Sequence, residues 1–191
     1  MTPPGTVLLE ARDLSVGYDR PLLRGLNLQL VAGRVTTLLG PNGAGKSTVL
    51  RALGESRLRL AGRVWQRPGF RLGLLAQTAD GQIELPLNGR ELLALTGASP
   101  AGLPPWLSAC LDWRLDRLSG GQLQYLRFWS IAAAPFDCLC LDEPGNNLDA
   151  RGLAALRAWL QAPPHGRAVV LVTHDASLVD AARQDVIRIA P

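Results

Sequence analysis

The sequence has few of the residues that mark several large classes of protein. Its 191 residues include 3 cysteines, 2 histidines and 1 methionine. Apolar stretches such as 169–172 are soon interrupted, so none reaches the roughly 18 to 20 residues that cross a bilayer. Residues 1–6 contain no basic cluster followed by an apolar run, so no secretory signal is visible. We therefore expect a cytoplasmic chain without a membrane span.

The cysteines have no metal-ligand spacing. Cys138 and Cys140 alternate along an apolar run that predicts a buried strand, and Cys110 stands apart from them. The sequence therefore predicts core thiols in a reducing compartment rather than a metal site or a disulfide framework.

Charge is scattered rather than clustered. The formal net charge is +4, and no run of five or more like charges is present. The pattern does not favour direct binding to nucleic acid. The 20 basic residues comprise 19 arginines and one lysine, Lys46, so a compact ammonium group occurs at a single position.

Apolar periodicity predicts an α/β fold. Alternation in 7–18 and 22–30 predicts antiparallel strands, with a bend near Gly25 and Asn27. Short apolar strands at 35–39, 138–141 and 168–172 then alternate with helical segments, a pattern typical of a parallel sheet. Prolines and short helical patterns between 77 and 118 predict a small inserted helical subdomain, and 186–189 predicts the last strand.

A glycine-rich segment carries the strongest chemical motif. It matches G-x-x-x-x-G-K-[ST] between the strand 35–39 and a helical segment 48–53. Such a loop wraps phosphates with backbone N–H groups, its lysine reaches the β and γ oxygens, and its serine ligates Mg²⁺. The predicted nucleotide-binding residues are Gly40, Pro41, Asn42, Gly43, Ala44, Gly45, Lys46, Ser47 and Thr48.

Two carboxylates end a later strand. Asp142 and Glu143 follow the apolar run 138–141. Beside a phosphate loop, Asp142 is predicted to hold Mg²⁺ and its water, and Glu143 to act as the general base. Residues 118–122, Leu-Ser-Gly-Gly-Gln, open a further apolar helical run to 134, which predicts an anion site at a helix N-terminus.

The phosphate loop, the segment 118–122 and the acidic strand, in this order, resemble the ATP-binding-cassette (ABC) ATPase family over about residues 7–190. The resemblance implies a P-loop NTPase (RecA-like) core with an N-terminal antiparallel β subdomain and a small helical subdomain at 78–134. Residues 1–191 would form one nucleotide-binding domain that binds ATP and Mg²⁺ and hydrolyses ATP. It also implies a head-to-tail dimer, to which each subunit contributes interface residues in trans, namely Ser119, Gly120, Gly121, Gln122 and Asp149.

Other positions take roles from the same resemblance. Tyr18 resembles the aromatic residue that stacks on adenine, and Gln77 the glutamine that senses Mg²⁺. His174 resembles the switch histidine that contacts the γ-phosphate, which together with Lys46 and Glu143 completes the catalytic set. His165 matches no family role. Gly145 stands where the family usually has threonine, and the large side chains of Leu123, Tyr125 and Trp129 are unusual for the helix that follows residue 119.

The sequence is most similar to the ATPase subunits of zinc and manganese importers. That resemblance implies a membrane permease as partner, which would contact residues 78–117. An extracytoplasmic binding protein is a possible further partner of such a transporter. The chain would lie at the inner face of the cell membrane, without the extension that many importer subunits carry after the last strand. Three alternatives stay open: a soluble ABC ATPase acting on ribosomes, an ATP-driven switch without turnover, and a haem-export ATPase.

Overall fold

A computed structural model describes residues 2–77, 86–162, 166–180 and 183–189. His165 and residues 78–85, the first part of the predicted helical subdomain, lie outside these residues. The strands within these ranges are β1 (Val7–Gly17), β2 (Pro21–Val31), β3 (Val35–Leu39), β4 (Arg59–Gln66), β5 (Leu72–Leu75), β6 (Cys138–Asp142), β7 (Ala168–Val172) and β8 (Gln184–Arg188). The α-helices in the same ranges are α1 (Lys46–Gly54), α2 (Gly89–Thr96), α3 (Pro105–Ser108), α4 (Gly120–Ala132) and α5 (Ala150–Gln161).

The central sheet is parallel, as the sequence predicts. Its strand order is β5-β6-β7-β3-β8, and every neighbouring pair runs parallel. The last strand begins two residues before the predicted range and ends one residue earlier. Because parallel strands end at one edge of the sheet, the segments that follow β3, β6 and β7 meet there.

The second sheet is antiparallel, with the order β2-β1-β4. The first two strands confirm the N-terminal prediction, whereas β4 was not predicted. The expected bend near Gly25 and Asn27 is an irregularity inside β2, opposite Asp13, whose φ is +49°. The Asn27 side chain accepts a hydrogen bond from the Asp13 N–H at 2.9 Å, which satisfies the donor at this irregularity.

Two hydrophobic cores lie on opposite faces of the parallel sheet. Along β6, Cys138 and Cys140 belong to the core shared with α1 and the antiparallel sheet, whereas Leu139 and Leu141 belong to the other core. All four side chains are fully buried. Burial on both faces explains why β6 and β7 are continuous apolar runs. The three cysteines are free and buried, as the sequence predicts.

The second core is formed with α2, α4 and α5 and is rich in aromatic rings. Tyr125 and Trp129 point from α4 into this core, and burial raises the pKa of Tyr125 to about 12. Phe128 on α4 meets Trp159 on α5 edge to face, with ring centroids 5.1 Å apart. The large aromatic side chains of α4 therefore fill the space between α4 and α5.

Gly145 fits its surroundings closely. A Cβ at this position would lie 3.2 Å from Cδ1 of Leu178 and 3.4 Å from Cδ1 of Leu153. The two leucines thus occupy the space that the threonine common in the family would need. Across the described ranges, no helix is long and apolar enough to cross a membrane.

We expect Gly73→Ala to destabilise the fold. An added Cβ would approach Cδ2 of Phe136 to 2.6 Å and Cγ2 of Ile131 to 2.7 Å. Relief of this overlap should cost about 1–3 kcal/mol in the free energy of unfolding, measured by urea denaturation. The control is Gly120→Ala, where no atom lies within 4 Å of the added Cβ. Equal stability of the two variants would contradict the close packing of β5.

Candidate functional site

The phosphate loop connects β3 to α1 and takes its shape from two glycines. Gly43 and Gly45 have φ values of +79° and +88°, in the left-handed region that favours glycine. Gly45 is also the residue before the first turn of α1, so the free N–H groups of that helix end face the loop. The Lys46 ammonium donates to the carbonyls of Gly40 and Pro41 at 2.8 and 2.9 Å. The one lysine of the chain is thereby held over the loop.

A pocket of about 430 Å³ opens at this edge of the sheet. The loop forms one wall, and the ends of β5, β6 and β7 form the other. Several predicted site residues meet here. The lining comprises Leu22, Asn42, Gly43, Gly45, Lys46, Ser47, Thr48, Gln77, Asp142, Glu143, Val172 and His174.

Asp142 is the last residue of β6, and its carboxylate is buried. Its Oδ1 atom has no hydrogen-bond partner within the described structure. Burial raises the pKa of this carboxyl, the Ser47 side chain lowers it in part through a hydrogen bond, and nearby Glu143 raises it further. The backbone of Gln77 also bonds to the carboxylate. A buried acceptor without a donor, surrounded by further oxygen groups, is suited to a hard cation such as Mg²⁺.

Glu143 adopts a left-handed backbone conformation with φ +50°. Its N–H donates to the Val172 carbonyl at 2.9 Å, which ties the turn after β6 to the end of β7. A non-glycine residue in this region costs of order 1–3 kcal/mol and is typical of functional sites. The conformation directs the Glu143 side chain into the pocket.

Glu143 and His174 form a close pair. Nδ1 of His174 lies 3.0 Å from Oε1 of Glu143, and the His174 N–H donates to Oε2 at 3.3 Å. The Glu143 side chain is 13% exposed and the His174 side chain 75% exposed, so the imidazole covers the carboxylate from the solvent side. The hydrogen bond to Glu143 raises the pKa of His174. The pair can hold a proton at a defined position beside the phosphate loop.

The segment 119–122 lies outside the pocket beside the phosphate loop. Ser119 is the N-cap of α4: its hydroxyl accepts from the Gln122 N–H at 3.2 Å, and the Gln122 side chain accepts from the Ser119 N–H at 2.9 Å. This reciprocal capping fixes the helix start. None of these residues lines the pocket of the same chain. Asp149 is likewise an N-cap, on α5, where it accepts from the Gly152 N–H at 2.7 Å.

Tyr18 and Leu22 lie at different positions relative to the pocket. Tyr18 is 53% exposed and does not line the pocket, and its hydroxyl accepts from Arg51 on α1 at 3.1 Å. Leu22 does line the pocket, with its Cβ 3.5 Å from the Cβ position of Gly45. Sequence reasoning missed Leu22 because an apolar residue in a strand carries no chemical motif. The one signal in the sequence is that Leu22 and Leu23 are both apolar, which breaks the alternation of apolar and polar residues along β2.

The Glu143–His174 pair gives a pH prediction. We expect the pKa of His174 to lie above the ordinary value of about 6.5, and Glu143→Gln to return it toward that value. Because the pKa of His174 is higher in the folded than in the unfolded chain, its protonation stabilises the fold at pH values below the unfolded-state pKa. This stabilisation is lost as the pH rises through the folded-state pKa. NMR titration of the imidazole protons measures both variants, with His165 as the internal reference. Identical titration of His174 in both would show that Glu143 is not the cause.

The chain is similar to known proteins over most of its length. The family model described as "ABC transporter" matches residues 23–77. The zinc import ATP-binding protein ZnuC of Halorhodospira halophila is 34% identical over 189 residues, covering 94% of this chain and 73% of that protein. The protein of the same name from Cereibacter sphaeroides is 35% identical, covering 94% of this chain and 78% of that protein.

Solved structures share the fold. A putative ABC transporter (ATP-binding protein) from Pyrococcus furiosus has a TM-score of 0.75 at 22% identity, covering 95% of this chain and 96% of that one. A bacterial Atm1-family ABC exporter with ATP bound has a TM-score of 0.78 at 23% identity, covering 99% of this chain and 40% of that one. Identities this low support the fold alone, and the family follows from the curated relatives. The chain belongs to the ABC transporter family, as an ATP-binding subunit.

Proposed function

We propose that this chain is the ATP-hydrolysing subunit of a zinc importer, acting as half of a head-to-tail dimer at the inner face of the membrane beneath a separate permease. Residues 1–191 act as one nucleotide-binding domain, with 78–134 as its helical subdomain. The observation that carries the proposal is the meeting of Lys46, Asp142 and the Glu143–His174 pair in one pocket beside the phosphate loop. Zinc is inferred from the relatives, which are named for zinc import.

The phosphate loop binds the nucleotide through its backbone and Lys46. The first N–H groups of α1 and the left-handed turns at Gly43 and Gly45 direct donors toward the β- and γ-phosphates. Lys46 exchanges its hydrogen bonds to the loop carbonyls for the phosphate oxygens. In this proposal the base extends toward Leu22, which lines the pocket, and toward Tyr18, whose hydroxyl accepts a hydrogen bond from Arg51.

Ser47, Asp142 and Gln77 are the residues that would hold Mg²⁺. Asp142 brings the unpaired buried oxygen, Ser47 the adjacent hydroxyl and Gln77 an amide at the pocket wall. Mg²⁺, when bound, neutralises charge on the β- and γ-phosphate oxygens. The charge of the cation also offsets the cost of burying the Asp142 carboxylate.

Glu143 acts as the general base for hydrolysis. It accepts a proton from the water that attacks the γ-phosphorus, and the bond from that phosphorus to the ADP oxygen breaks. His174 fixes the carboxylate through Nδ1 and its own N–H, which leaves its other ring nitrogen for the γ-phosphate. Nδ1 of His174 contacts Oε1 at 3.0 Å and the His174 N–H contacts Oε2 at 3.3 Å, and the remaining lone pairs of the carboxylate accept the proton of the water.

A dimer is supported by the position of segment 119–122 outside the pocket of its own chain. Helix α4 begins with Ser119, Gly120, Gly121 and Gln122, and Gly120 has no neighbouring atom within 4 Å of a Cβ position. This exposed helix start presents N–H groups suited to an anion. In a head-to-tail pair it closes on the γ-phosphate held by the partner subunit, with Asp149 crossing the same interface.

We expect Glu143→Gln to bind ATP and nearly stop turnover. The amide cannot accept the proton of the attacking water, so the rate should fall by about 10²-fold or more, the scale of general-base catalysis. Steady-state phosphate release measures turnover, and a fluorescent ATP analogue measures binding. Glu10→Gln, at a carboxylate that pairs with Arg12 and Gln29 outside the pocket, is the control for charge removal. Turnover at the wild-type rate in Glu143→Gln would remove the assignment of the base.

The transport role is tested with the same variant as a trap. Glu143→Gln protein loaded with Mg-ATP in its native cells, then solubilised gently, should co-purify with a polytopic membrane protein. Reconstituted with that protein, the wild-type chain should drive ATP-dependent uptake of ⁶⁵Zn²⁺ and the trapped variant should not. Co-purification with ribosomes, or with copies of itself alone, would contradict the transporter role, and uptake of another solute in place of zinc would contradict the substrate.

A further inference from the structure

Trp106 on α3 lies between two segments that the proposed function places at the dimer interface. On one side its ring meets Tyr125 of α4 edge to face, with centroids 5.2 Å apart. On the other side the Arg151 guanidinium of α5 stands over the ring, 5.1 Å from the centroid. Tyr125 is one turn beyond the segment 119–122, and Arg151 is two residues beyond Asp149. One indole therefore touches both helices near their first turns.

The starts of α4 and α5 also touch directly. A Cβ on Gly121 would lie 3.0 Å from the Asn147 carbonyl oxygen and 3.6 Å from the Asp149 nitrogen. Residue 121 must therefore be small for the segment 119–122 to rest on the loop 147–149. Asn147 has a left-handed φ of +62°, so this loop holds a bent path beneath α4.

A second set of contacts joins α3 to the start of α4. The Gln122 amide donates to the Cys110 sulfur at 3.5 Å, and the Cys110 thiol donates to the Trp106 carbonyl at 3.7 Å. Gln122 is also the residue that caps Ser119. Trp106 is thus fixed to α4 through its ring and through its backbone, while its contact with α5 runs through Arg151.

Arg151 is exposed, and within the described residues it forms no ion pair or hydrogen bond. The indole ring is what orients it. A guanidinium stacks on an aromatic face more favourably than an ammonium does, because it is planar and weakly hydrated. Trp106 and Arg151, which we name the clasp, therefore close a ring of contacts from α4 through α3 to α5 and back through Gly121.

We infer that the clasp positions the segment 119–122 against the loop 147–149, so that both reach the partner subunit as one rigid unit. Neither clasp residue lines the pocket beside the phosphate loop, so both are positioning residues. The effect of the clasp on the partner subunit rests on the proposed head-to-tail dimer. The rigid connection between segment 119–122 and loop 147–149 is a property of a single chain.

The functional test measures ATP-driven dimerisation in the Glu143→Gln background. Arg151→Ala should raise the dissociation constant of the dimer by up to about 25-fold, since an exposed cation–π contact is worth at most about fivefold and a dimer contains two clasps. Arg151→Lys should recover part of the loss. Arg63→Ala, which removes an exposed arginine from β4, is the matched control and should match the parent. Ser119→Arg, with a bulky cation at the interface, should prevent dimers altogether.

The structural test needs neither ATP nor a dimer. Hydrogen exchange of the monomer should be faster in Arg151→Ala over 119–123 and 149–153, which contain the capped N–H groups of Gln122 and Gly152. Trp106→Leu, which has no aromatic face, should show at least the same increase, and adding Arg151→Ala to it should have little further effect, because both changes remove the contact between Arg151 and the ring. Single-subunit ATP binding should be unchanged in all three.

The outcomes separate the two proposals. If the Glu143→Gln parent forms no dimer with ATP, the proposed dimer is wrong, and hydrogen exchange alone decides whether the clasp joins the segments. If the parent dimerises and Arg151→Ala matches Arg63→Ala in affinity, the clasp does not position the interface, and the proposed function stands. Unchanged exchange in Arg151→Ala overturns the clasp in either case.

Discussion

The site depends on the parallel register of three neighbouring strands. β3, β7 and β6 pair so that Leu38 lies opposite Val172, and Val172 opposite Asp142. The three strands therefore end at one level, and the chain continues from them into the phosphate loop, Glu143 and His174. The Glu143 N–H bond to the Val172 carbonyl extends the pairing one residue beyond the sheet. A slip of one residue would turn the Asp142 carboxylate to the opposite face.

β6 also links the two halves of the molecule. Its cysteines pack toward α1 and the phosphate loop, and its leucines pack toward the aromatic core of α4 and α5. Small thiols on one face and larger leucines on the other allow both layers to pack closely against a single strand. The pocket and the helices α4 and α5 thus share β6 as their common support, although segment 119–122 does not reach the pocket of its own chain.

Burial and charge are balanced differently at the two carboxylates. Asp142 is buried with one unpaired oxygen, and its pKa is raised chiefly by burial. Glu143 has His174 as a partner on its solvent side, and the pairing raises the pKa of the histidine. Adjacent residues of one strand end can therefore serve as a cation ligand and a proton acceptor, because each has a different neighbour.

The sequence alone determined the family, the parallel sheet and the phosphate loop, since these depend on local spacing: glycines around Lys46, an apolar run before Asp142 and strands separated by helices. It did not predict β4, because an exposed strand with Leu60 and Trp65 outward lacks a regular alternation. Leu22 in the pocket, Tyr18 outside it and Arg151 on Trp106 are contacts between residues distant in the chain. Only the tertiary structure decided these contacts, because they depend on how the two sheets and the helices are placed in space.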